Sequence, residues 1–265
     1  MIKIEYLEVK YGRNPPVLSI DKLHIGPRER VAIIGPSGAG KSTLLRTIKG
    51  YVRPARGKIE VMGVNLATAR RRERQPVNQR IGVVYQQFHL VKRLSVVKNV
   101  LCGRLGLTSR WRSLLGIFSA EDRAVAWSAI CEVGLSKKVH QRADTLSGGE
   151  QQRVAVARAL AQQPTIILAD EPVSSVDPAW AEDILELILQ VQAHHNATLV
   201  MSLHQPDLAR RFADRIIGLR DGKVVFDGPP SMLTENSLKE LYRGIDSLPL
   251  NGAATHAEKD QTRSA

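Results

Sequence analysis

The order of apolar and polar residues predicts short strands that alternate with helices. Ile2, Ile4 and Tyr6 alternate with polar residues, and this period of two is typical of a half-buried strand over residues 2–11. Short segments rich in apolar residues predict further strands. Their ranges are 31–34, 57–62, 81–85, 166–169, 198–203, 215–219 and 224–226.

Other segments carry the signals of helices. An apolar stripe stops at Gly50, Ser119 and Asp122 form a capping arrangement, and Asp177 with Pro178 begins a long helix. The predicted helices cover residues 41–50, 119–133, 150–162, 177–191 and 206–212. Because strands and helices alternate, the pattern predicts an α/β fold with a mostly parallel sheet that is covered on both sides.

Three regions depart from this alternation. Residues 88–150 are mainly helical in pattern, so we expect a helical subdomain inserted into the sheet. Asp221-Gly222 predicts a tight hairpin between the last two strands. Residues 247–265 lack hydrophobic periodicity and predict a disordered tail, which leaves residues 2–246 as one domain.

Positive charge is concentrated in one part of the chain. The formal net charge of the 265 residues is +12. Residues 51–115 contain 14 Lys and Arg against Glu60 and Glu73, including an arginine cluster at 70–74 between two predicted strands. This basic segment (51–115) suits nucleic acid, an anionic membrane surface or an acidic partner, or it is a solvated face.

The composition excludes several classes of protein. A hydrophobic content of 43% and a charged content of 24% exclude wholesale disorder and fibrous repeats. No apolar stretch approaches the roughly 18 residues that span a bilayer, and the N-terminus lacks the apolar core of a signal peptide. Cys102 and Cys131 are too few for a disulfide framework or a thiolate metal cage. We therefore expect a soluble protein of the reducing cytoplasm.

A glycine-rich segment connects the strand at 31–34 to the helix at 41–50, which is the context of a phosphate-binding P-loop. Its glycines let backbone N–H groups surround phosphates, and the helix N-terminus adds partial positive charge. We expect Lys41 to reach the β- and γ-phosphates and Ser42 to offer its hydroxyl to Mg²⁺. The segment is Gly35, Pro36, Ser37, Gly38, Ala39, Gly40, Lys41 and Ser42.

Two carboxylates end the apolar strand at 166–169. Asp170 and Glu171 emerge where an α/β sheet binds its ligands. Asp170 is predicted to bind Mg²⁺, and Glu171 to activate the attacking water as a general base. A P-loop requires a metal-binding acid, which favours this interpretation over an acidic helix cap.

A second glycine-bearing segment precedes the helix at 150–162 and predicts another anion site, although ordinary helix capping explains it equally well. The segment is Leu146, Ser147, Gly148, Gly149, Glu150 and Gln151. His204 follows the strand at 198–203 and could hydrogen-bond a terminal phosphate, but a lone histidine there is more often structural. Gln86 and Tyr11 are uninformative individually.

Taken together, these motifs resemble the ATP-binding subunits of ABC transporters. The resemblance rests on six motifs that occur in the family's order. They are Walker A at Gly35 to Thr43, the Q-loop at Gln86, the signature motif at 146–151, Walker B at 166–171, the D-loop at 174–177 and the switch histidine at His204. The resemblance covers residues 2–245. It implies a RecA-like P-loop NTPase fold with N-terminal antiparallel strands and an inserted helical subdomain.

The resemblance also implies roles. Two copies pair head to tail, and each ATP lies between Walker A of one copy and residues 147–150 of the other. Tyr11 would stack on adenine, and His204 would hold the γ-phosphate. Gln86 would touch Mg²⁺ or the attacking water and relay to a membrane permease.

Segments outside the ATP motifs resemble those of phosphonate-importer ATPases. They are 86–91, 103–106, 111–116, 141–144 and 203–209. This likeness implies an ATP-hydrolysing, energy-coupling subunit for the import of phosphonate or a related oxyanion such as phosphite. Its partners would be permease subunits and, indirectly, a periplasmic or lipid-anchored substrate-binding protein, which places it peripherally on the cytoplasmic face of the bacterial inner membrane.

Two positions differ from the family pattern. Glu150 stands where the family usually has Gln, and Ser175-Val176 where it often has Ala-Leu. Neither change removes a phosphate ligand, so we expect ATP hydrolysis to persist and the subunit interface to be tuned.

Other functions agree with parts of the sequence. The ATP site does not distinguish phosphonate from phosphate, amino acids or metals, because the permease and binding protein select the solute. A non-transport ABC ATPase would use the basic segment on nucleic acid, but the single P-loop and the lack of a heptad run disfavour it, and we expect no nucleic-acid partner. A scaffold protein would not need the base Glu171.

Overall fold

The computed structural model describes residues 1–12 and 14–243. The predicted tail at 247–265 and the predicted domain end at 246 lie outside these residues.

The strands of the described residues form two sheets. They are β1 (Ile2–Val9), β2 (Leu18–Ile25), β3 (Arg30–Ile34), β4 (Arg56–Val61), β5 (Val64–Asn65), β6 (Ile81–Val84), β7 (Ile166–Asp170), β8 (Thr198–Ser202), β9 (Arg215–Arg220) and β10 (Lys223–Gly228). An antiparallel sheet has the order β2-β1-β4-β5, and a six-stranded sheet has the order β10-β9-β3-β8-β7-β6. In the second sheet only β10 is antiparallel, which confirms the predicted α/β class.

Helices cover both faces of the larger sheet. They are α1 (Lys41–Ile48), α2 (Arg71–Gln79), α3 (Val96–Leu101), α4 (Arg110–Leu114), α5 (Ala120–Glu132), α6 (Gly148–Leu160), α7 (Pro178–His194), α8 (Pro206–Phe212) and α9 (Glu235–Leu241). Helices α3 to α5 lie between β6 and β7 in the chain, as the predicted helical insertion requires. No helix of the described residues is long and apolar enough to cross a membrane.

The strands of the larger sheet are buried on both faces. In β3, Val31 and Ile33 pack with α1 and the antiparallel sheet, whereas Ala32 and Ile34 pack with the helices of the opposite face. The P-loop therefore follows a strand that is held from both sides. Burial on both faces explains why β3 and β7 are apolar runs without alternation.

Several local predictions are confirmed. Asp122 N donates to Ser119 Oγ at 3.0 Å at the start of α5, and Ala179 N donates to Asp177 Oδ1 at 2.9 Å at the start of α7. The turn residues Asp221 and Gly222 have φ angles of 49° and 74°, as a hairpin turn with two left-handed residues requires.

Tyr6 corrects the alternation predicted for the first strand. Its φ is 48° and its side chain is 77% exposed, because the pairing of β1 with β4 shifts register between Glu5 and Glu8. The bulge adds a residue, so Leu7 takes the inward position. The buried face therefore changes parity along the strand.

The pattern also missed β2, β5, α2 and α9, and two of these elements show the reason. Strand β2 alternates, but the adjacent polar pair Asp21 and Lys22 interrupts its period of two. Helix α2 contains the arginine cluster and Pro76, which are poor helix signals, and only Val77 of this helix is buried. Tertiary contacts decide both elements.

Candidate nucleotide-binding site

The loop at 35–40 makes a tight turn between β3 and α1. Gly35 has φ 147°, and a Cβ there would lie 2.0 Å from the Leu219 carbonyl oxygen. Gly40 has φ 102°, and a Cβ there would lie 2.6 Å from Leu18 Cδ2. Both positions require glycine for space as well as for backbone angle.

Lys41 points back into this loop. Its Nζ donates to the carbonyl oxygens of Gly35 at 2.7 Å and Pro36 at 3.0 Å, and the residue is only 4% exposed. Burial lowers the pKa of Lys41, although the charges of Glu171 and Asp170 raise it in part. The ammonium therefore lies inside the loop, close to the two carboxylates at the end of β7.

The first turn of α1 is open to an anion. Among the described residues no side chain caps this helix, and Gly40 precedes it in a left-handed conformation. The first N–H groups of a helix lack partners within the helix, and they carry the positive end of its dipole. Together with Lys41, these N–H groups have the geometry and charge that could bind phosphate groups.

Asp170 joins the P-loop helix to the neighbouring strand β8. Ser42 Oγ donates to Asp170 Oδ1 at 2.8 Å, and Ser202 Oγ donates to the same oxygen at 2.9 Å. Carboxylate and hydroxyl oxygens are the hard ligands that Mg²⁺ prefers. The donor set at Ser42 and Asp170 therefore fits the metal that the sequence predicts there.

Glu171 is held in an unusual backbone conformation. Its φ is 49°, a left-handed angle that costs a non-glycine residue about 1–2 kcal/mol. Its N–H donates to Ser202 Oγ at 2.9 Å, and its Oε1 lies 2.5 Å from His204 Nε2. The surrounding contacts thus aim the Glu171 carboxylate at His204, at the same edge of the sheet as Asp170.

Ser202 is a residue that sequence reasoning missed. It is fully buried at the end of β8, and its hydroxyl contacts both predicted acidic residues. The hydroxyl donates to the Asp170 carboxylate and accepts from the Glu171 backbone N–H. Its only signal in the sequence is a hydroxyl near the end of the apolar strand 198–203, two residues before His204. Pairing of β7 with β8, which sets Asp170 opposite Ser202, is what reveals its role.

Gln86 and Tyr11 lie on connections at this edge. Gln86 is exposed two residues after β6, whose Val84 pairs with Ala169 of β7. Tyr11 is 43% exposed in the connection between β1 and β2, which reaches the P-loop at Leu18. Their predicted roles toward Mg²⁺ and adenine remain predictions.

Residues 147–150 form a separate group at the start of α6. Glu150 N donates to Ser147 Oγ at 3.3 Å, and Ser147 N donates to Glu150 Oε2 at 3.1 Å, which closes a capping box. Lys138 Nζ contacts the Glu150 carboxylate and holds the pKa of Glu150 below its ordinary value. The residue that departs from the family pattern is therefore satisfied within its own subunit.

A cavity of about 430 Å³ lies beside this capping box. Its walls include Gly149, Val176 and Asp177, so the signature segment and the end of the D-loop line the same space. At the other end of the D-loop, Ser174 Oγ donates to the Glu171 carbonyl oxygen at 3.0 Å. The structure thus brings Lys41, Asp170 and Glu171 together. The D-loop connects this group to residues 147–150 at the start of α6.

Comparison with known proteins agrees with this geometry. The model of the ABC transporter family matches residues 18–174. Phosphonates import ATP-binding protein PhnC 2 of Halalkalibacterium halodurans is 47% identical over 92% of this chain and 100% of its own length. PhnC of Bradyrhizobium diazoefficiens is 45% identical over 91% of this chain and 90% of its own.

Solved structures of ATP-binding cassettes have the same fold. The dimeric bacterial ABC transporter cassette MJ0796 superimposes with a TM-score of 0.75 at 34% identity, over 87% of this chain and 99% of that one. A post-hydrolysis dimer of the same cassette, bound to ADP and Pi, gives a TM-score of 0.74 at 33% identity, with the same coverage. The chain therefore belongs to the ABC transporter family, as one of its ATP-hydrolysing cassettes.

Proposed function

We propose that this chain is the energy-coupling ATPase of an importer for phosphonates or a related phosphorus oxyanion such as phosphite. The observation that supports ATP hydrolysis is a set of hydrogen bonds at one edge of the larger sheet. Ser42 and Ser202 both donate to Asp170. Ser202 also accepts from the backbone of Glu171, whose carboxylate lies beside His204. The solute class rests on relatives named as phosphonate import proteins, which are 43–47% identical over more than 90% of the chain.

The P-loop residues 35–43 would bind the triphosphate of ATP. Lys41 exchanges its present carbonyl partners for β- and γ-phosphate oxygens, which carry full negative charge. Ser42 and Asp170, with Gln86, would hold Mg²⁺. When bound, Mg²⁺ neutralises charge on the phosphates.

Glu171 would accept the proton of the attacking water. The water oxygen then forms a bond to the γ-phosphorus, while the bond from that phosphorus to the β,γ-bridging oxygen breaks and its electron pair leaves with ADP. His204, whose Nε2 lies 2.5 Å from Glu171 Oε1, would hold the γ-phosphate beside the base. Hydrolysis depends on the basicity of Glu171, whereas ATP binding does not.

The full site would need a second copy of the chain. Residues 147–150 lie in a different group from Lys41, and in a head-to-tail pair they would meet the partner's γ-phosphate. The dimeric state of the similar cassette MJ0796 supports this arrangement. Tyr11 would stack on the adenine of its own subunit's ATP.

The basic segment would face the permease and the anionic leaflet around it. Lys92 and Arg93 are exposed, and other residues of the same segment, among them Tyr51, Arg71 and Leu107, line a polar cavity of about 600 Å³. Each exposed basic side chain near an anionic leaflet contributes about 1 kcal/mol. Charge reversal at Lys92, Arg93 and Arg110 should therefore weaken co-purification with the permease, most at low salt, and leave ATP binding by the isolated subunit unchanged.

Nucleic-acid retention by the same triple variant tests the alternative. If the basic segment binds DNA or RNA, the wild type will show salt-sensitive retention that the variant loses. Unchanged association with the permease at low salt would show that the segment is a solvated face.

The Glu171→Gln variant tests the ATPase assignment. It keeps the shape of the side chain but loses its basicity, so hydrolysis should fall by about 10²–10⁴-fold while ATP binding persists. ATP should then hold the dimer together, which size-exclusion chromatography detects. Hydrolysis at the wild-type rate would place the base elsewhere.

Growth on single phosphorus sources tests the solute. A strain that lacks the gene should fail to grow on methylphosphonate or on phosphite, and the wild-type gene should restore growth whereas Glu171→Gln should not. Normal growth of the deletion strain on both compounds, with a defect on another solute, would overturn the phosphorus-oxyanion assignment and leave the ATPase intact.

A further inference from the structure

Three side chains of the types that commonly bind metal ions converge where two helices end. Glu132 is the last residue of α5, His194 is the last residue of α7, and His195 follows it. The acid and the histidine pair are separated by more than 60 residues in the chain. Their ligand atoms all lie within 4.8 Å of one another.

Both imidazoles point at the same carboxylate. His194 Nδ1 lies 3.0 Å from Glu132 Oε1, and His195 Nε2 lies 3.1 Å from Glu132 Oε2. Ligands about 2.0–2.1 Å from a tetrahedral ion are about 3.3 Å apart. The observed separations between histidine nitrogen and carboxylate oxygen therefore already approach those of a metal centre.

The surroundings favour a cation and leave room for water. The C-terminal ends of α5 (13 residues) and α7 (17 residues) meet here, and each contributes partial negative charge. The side chain of His194 is 73% exposed, so the open side of the cluster faces solvent. Two imidazoles, one carboxylate and a water molecule are a known ligand set of Zn²⁺.

We propose that Glu132, His194 and His195 form a site for Zn²⁺ or a similar divalent transition-metal ion. The nitrogen ligands select such an ion over Mg²⁺ and Ca²⁺, which prefer oxygen. The ion links the end of α5, within the helical insertion, to the end of α7, the helix that begins at the D-loop. The site lies about 25 Å from that helix start, so it is separate from the nucleotide site.

Zinc titration of the metal-free full-length chain tests the proposal, with a chromophoric chelator as competitor and a reductant present. The wild type should bind one equivalent of Zn²⁺ with high affinity. The double variant His194→Gln/His195→Gln and the single variant Glu132→Gln should bind it at least about tenfold more weakly.

Matched controls separate this site from others in the chain. His140→Gln removes an exposed histidine elsewhere, Cys131→Ser removes the thiol next to Glu132, and His204→Gln reports zinc bound at the nucleotide site. All three variants should still bind one equivalent of Zn²⁺ with high affinity. If one of them loses it and the double variant keeps it, the proposal is wrong.

Thermal unfolding gives a second readout. Zn²⁺ should raise the melting temperature of the wild type but not that of the double variant, because a ligand stabilises only the state that binds it. Unaltered ATP binding by the double variant shows that it is folded. Equal zinc affinity and an equal thermal shift in both proteins would show that the cluster is only a pair of surface hydrogen bonds.

Discussion

Helices α1 and α6 both begin after a glycine-bearing segment, yet their first turns differ. At α1 no side chain of the described residues caps the helix, and Lys41 adds a buried ammonium beside the open turn. At α6 the capping box of Ser147 and Glu150 already pairs backbone donors, and Lys138 neutralises Glu150.

This difference shows that one sequence signal has two physical outcomes. The backbone N–H groups at the open turn of α1 can bind phosphate without breaking a capping hydrogen bond, and only the Lys41 side chain must change partners. To bind a phosphate oxygen, the closed turn of α6 would have to give up the hydrogen bond between Glu150 N and Ser147 Oγ, which disfavours binding of a free phosphate. A nucleotide whose phosphates are held by the P-loop of a second subunit would be oriented toward this turn.

The largest expected effect is at the open turn. Lys41→Ala removes the charge that would bind the β- and γ-phosphates, so ATP turnover should fall by about 10²–10³-fold or more. The fold should persist, because Lys41 Nζ bonds only carbonyl oxygens of its own loop. Lys22→Ala, at an exposed position in β2, is the control, and turnover and circular dichroism are the measurements. Near-normal turnover would refute the P-loop assignment.

A mixed dimer tests whether the closed turn serves the partner's nucleotide. Ser147→Arg and Lys41→Ala homodimers should each be inactive. A tagged heterodimer of the two assembles one site in which Lys41 and Ser147 are both intact, so it should bind about one ATP tightly. Binding no better than that of either homodimer would contradict the head-to-tail geometry.

Ser202→Ala should have an intermediate effect. It removes the hydrogen bonds to the Asp170 side chain and the Glu171 backbone, and hydrogen bonds to charged groups are worth about 1.5–3 kcal/mol. We expect kcat to fall about tenfold or more, with ATP affinity little changed, because Ser202 only positions these two residues. Ser202→Thr keeps the hydroxyl and should restore most of kcat. Equal kcat in all three proteins would remove Ser202 from the site.

Glu150→Gln should have the smallest effect. It restores the usual family residue and removes the partly exposed ion pair with Lys138, which is worth about 0–1 kcal/mol. Since Lys138 lowers the pKa of Glu150, this stabilisation is present above the unfolded pKa of about 4.5 and is lost as pH falls below it. Urea unfolding at pH 7 and pH 4 should show a slightly smaller pH dependence for the variant. A larger loss of stability at pH 4 in the variant than in the wild type would contradict the prediction that this ion pair stabilises the folded state.

The local chemistry of the site could be predicted from the sequence. The glycine-rich turn, the hydroxyl of Ser42 and the paired acids Asp170 and Glu171 can be recognised from adjacent residues of the chain. The capping of α5 and α7 is equally local. The predicted α/β class followed from the same short-range patterns. The lack of space at Gly35 and Gly40, in contrast, comes from the distant residues Leu219 and Leu18.

Other features depend on residues that are distant in the chain. The sequence contains Ser202, but only the pairing of β7 with β8 sets it against Asp170. Tyr6 turns outward because a bulge in the pairing with β4 changes the parity of β1. Neither contact leaves a trace in the local pattern.

The sequence by itself determined that this chain folds around a P-loop and carries two acids at the end of another apolar strand, because each of those features needs only a few adjacent residues. The tertiary structure alone decided which helix start is open and which is closed through Lys138, and that Glu132 meets His194 and His195. These contacts arise from packing between separate elements, and packing is selected by the burial of the whole core rather than by any short segment.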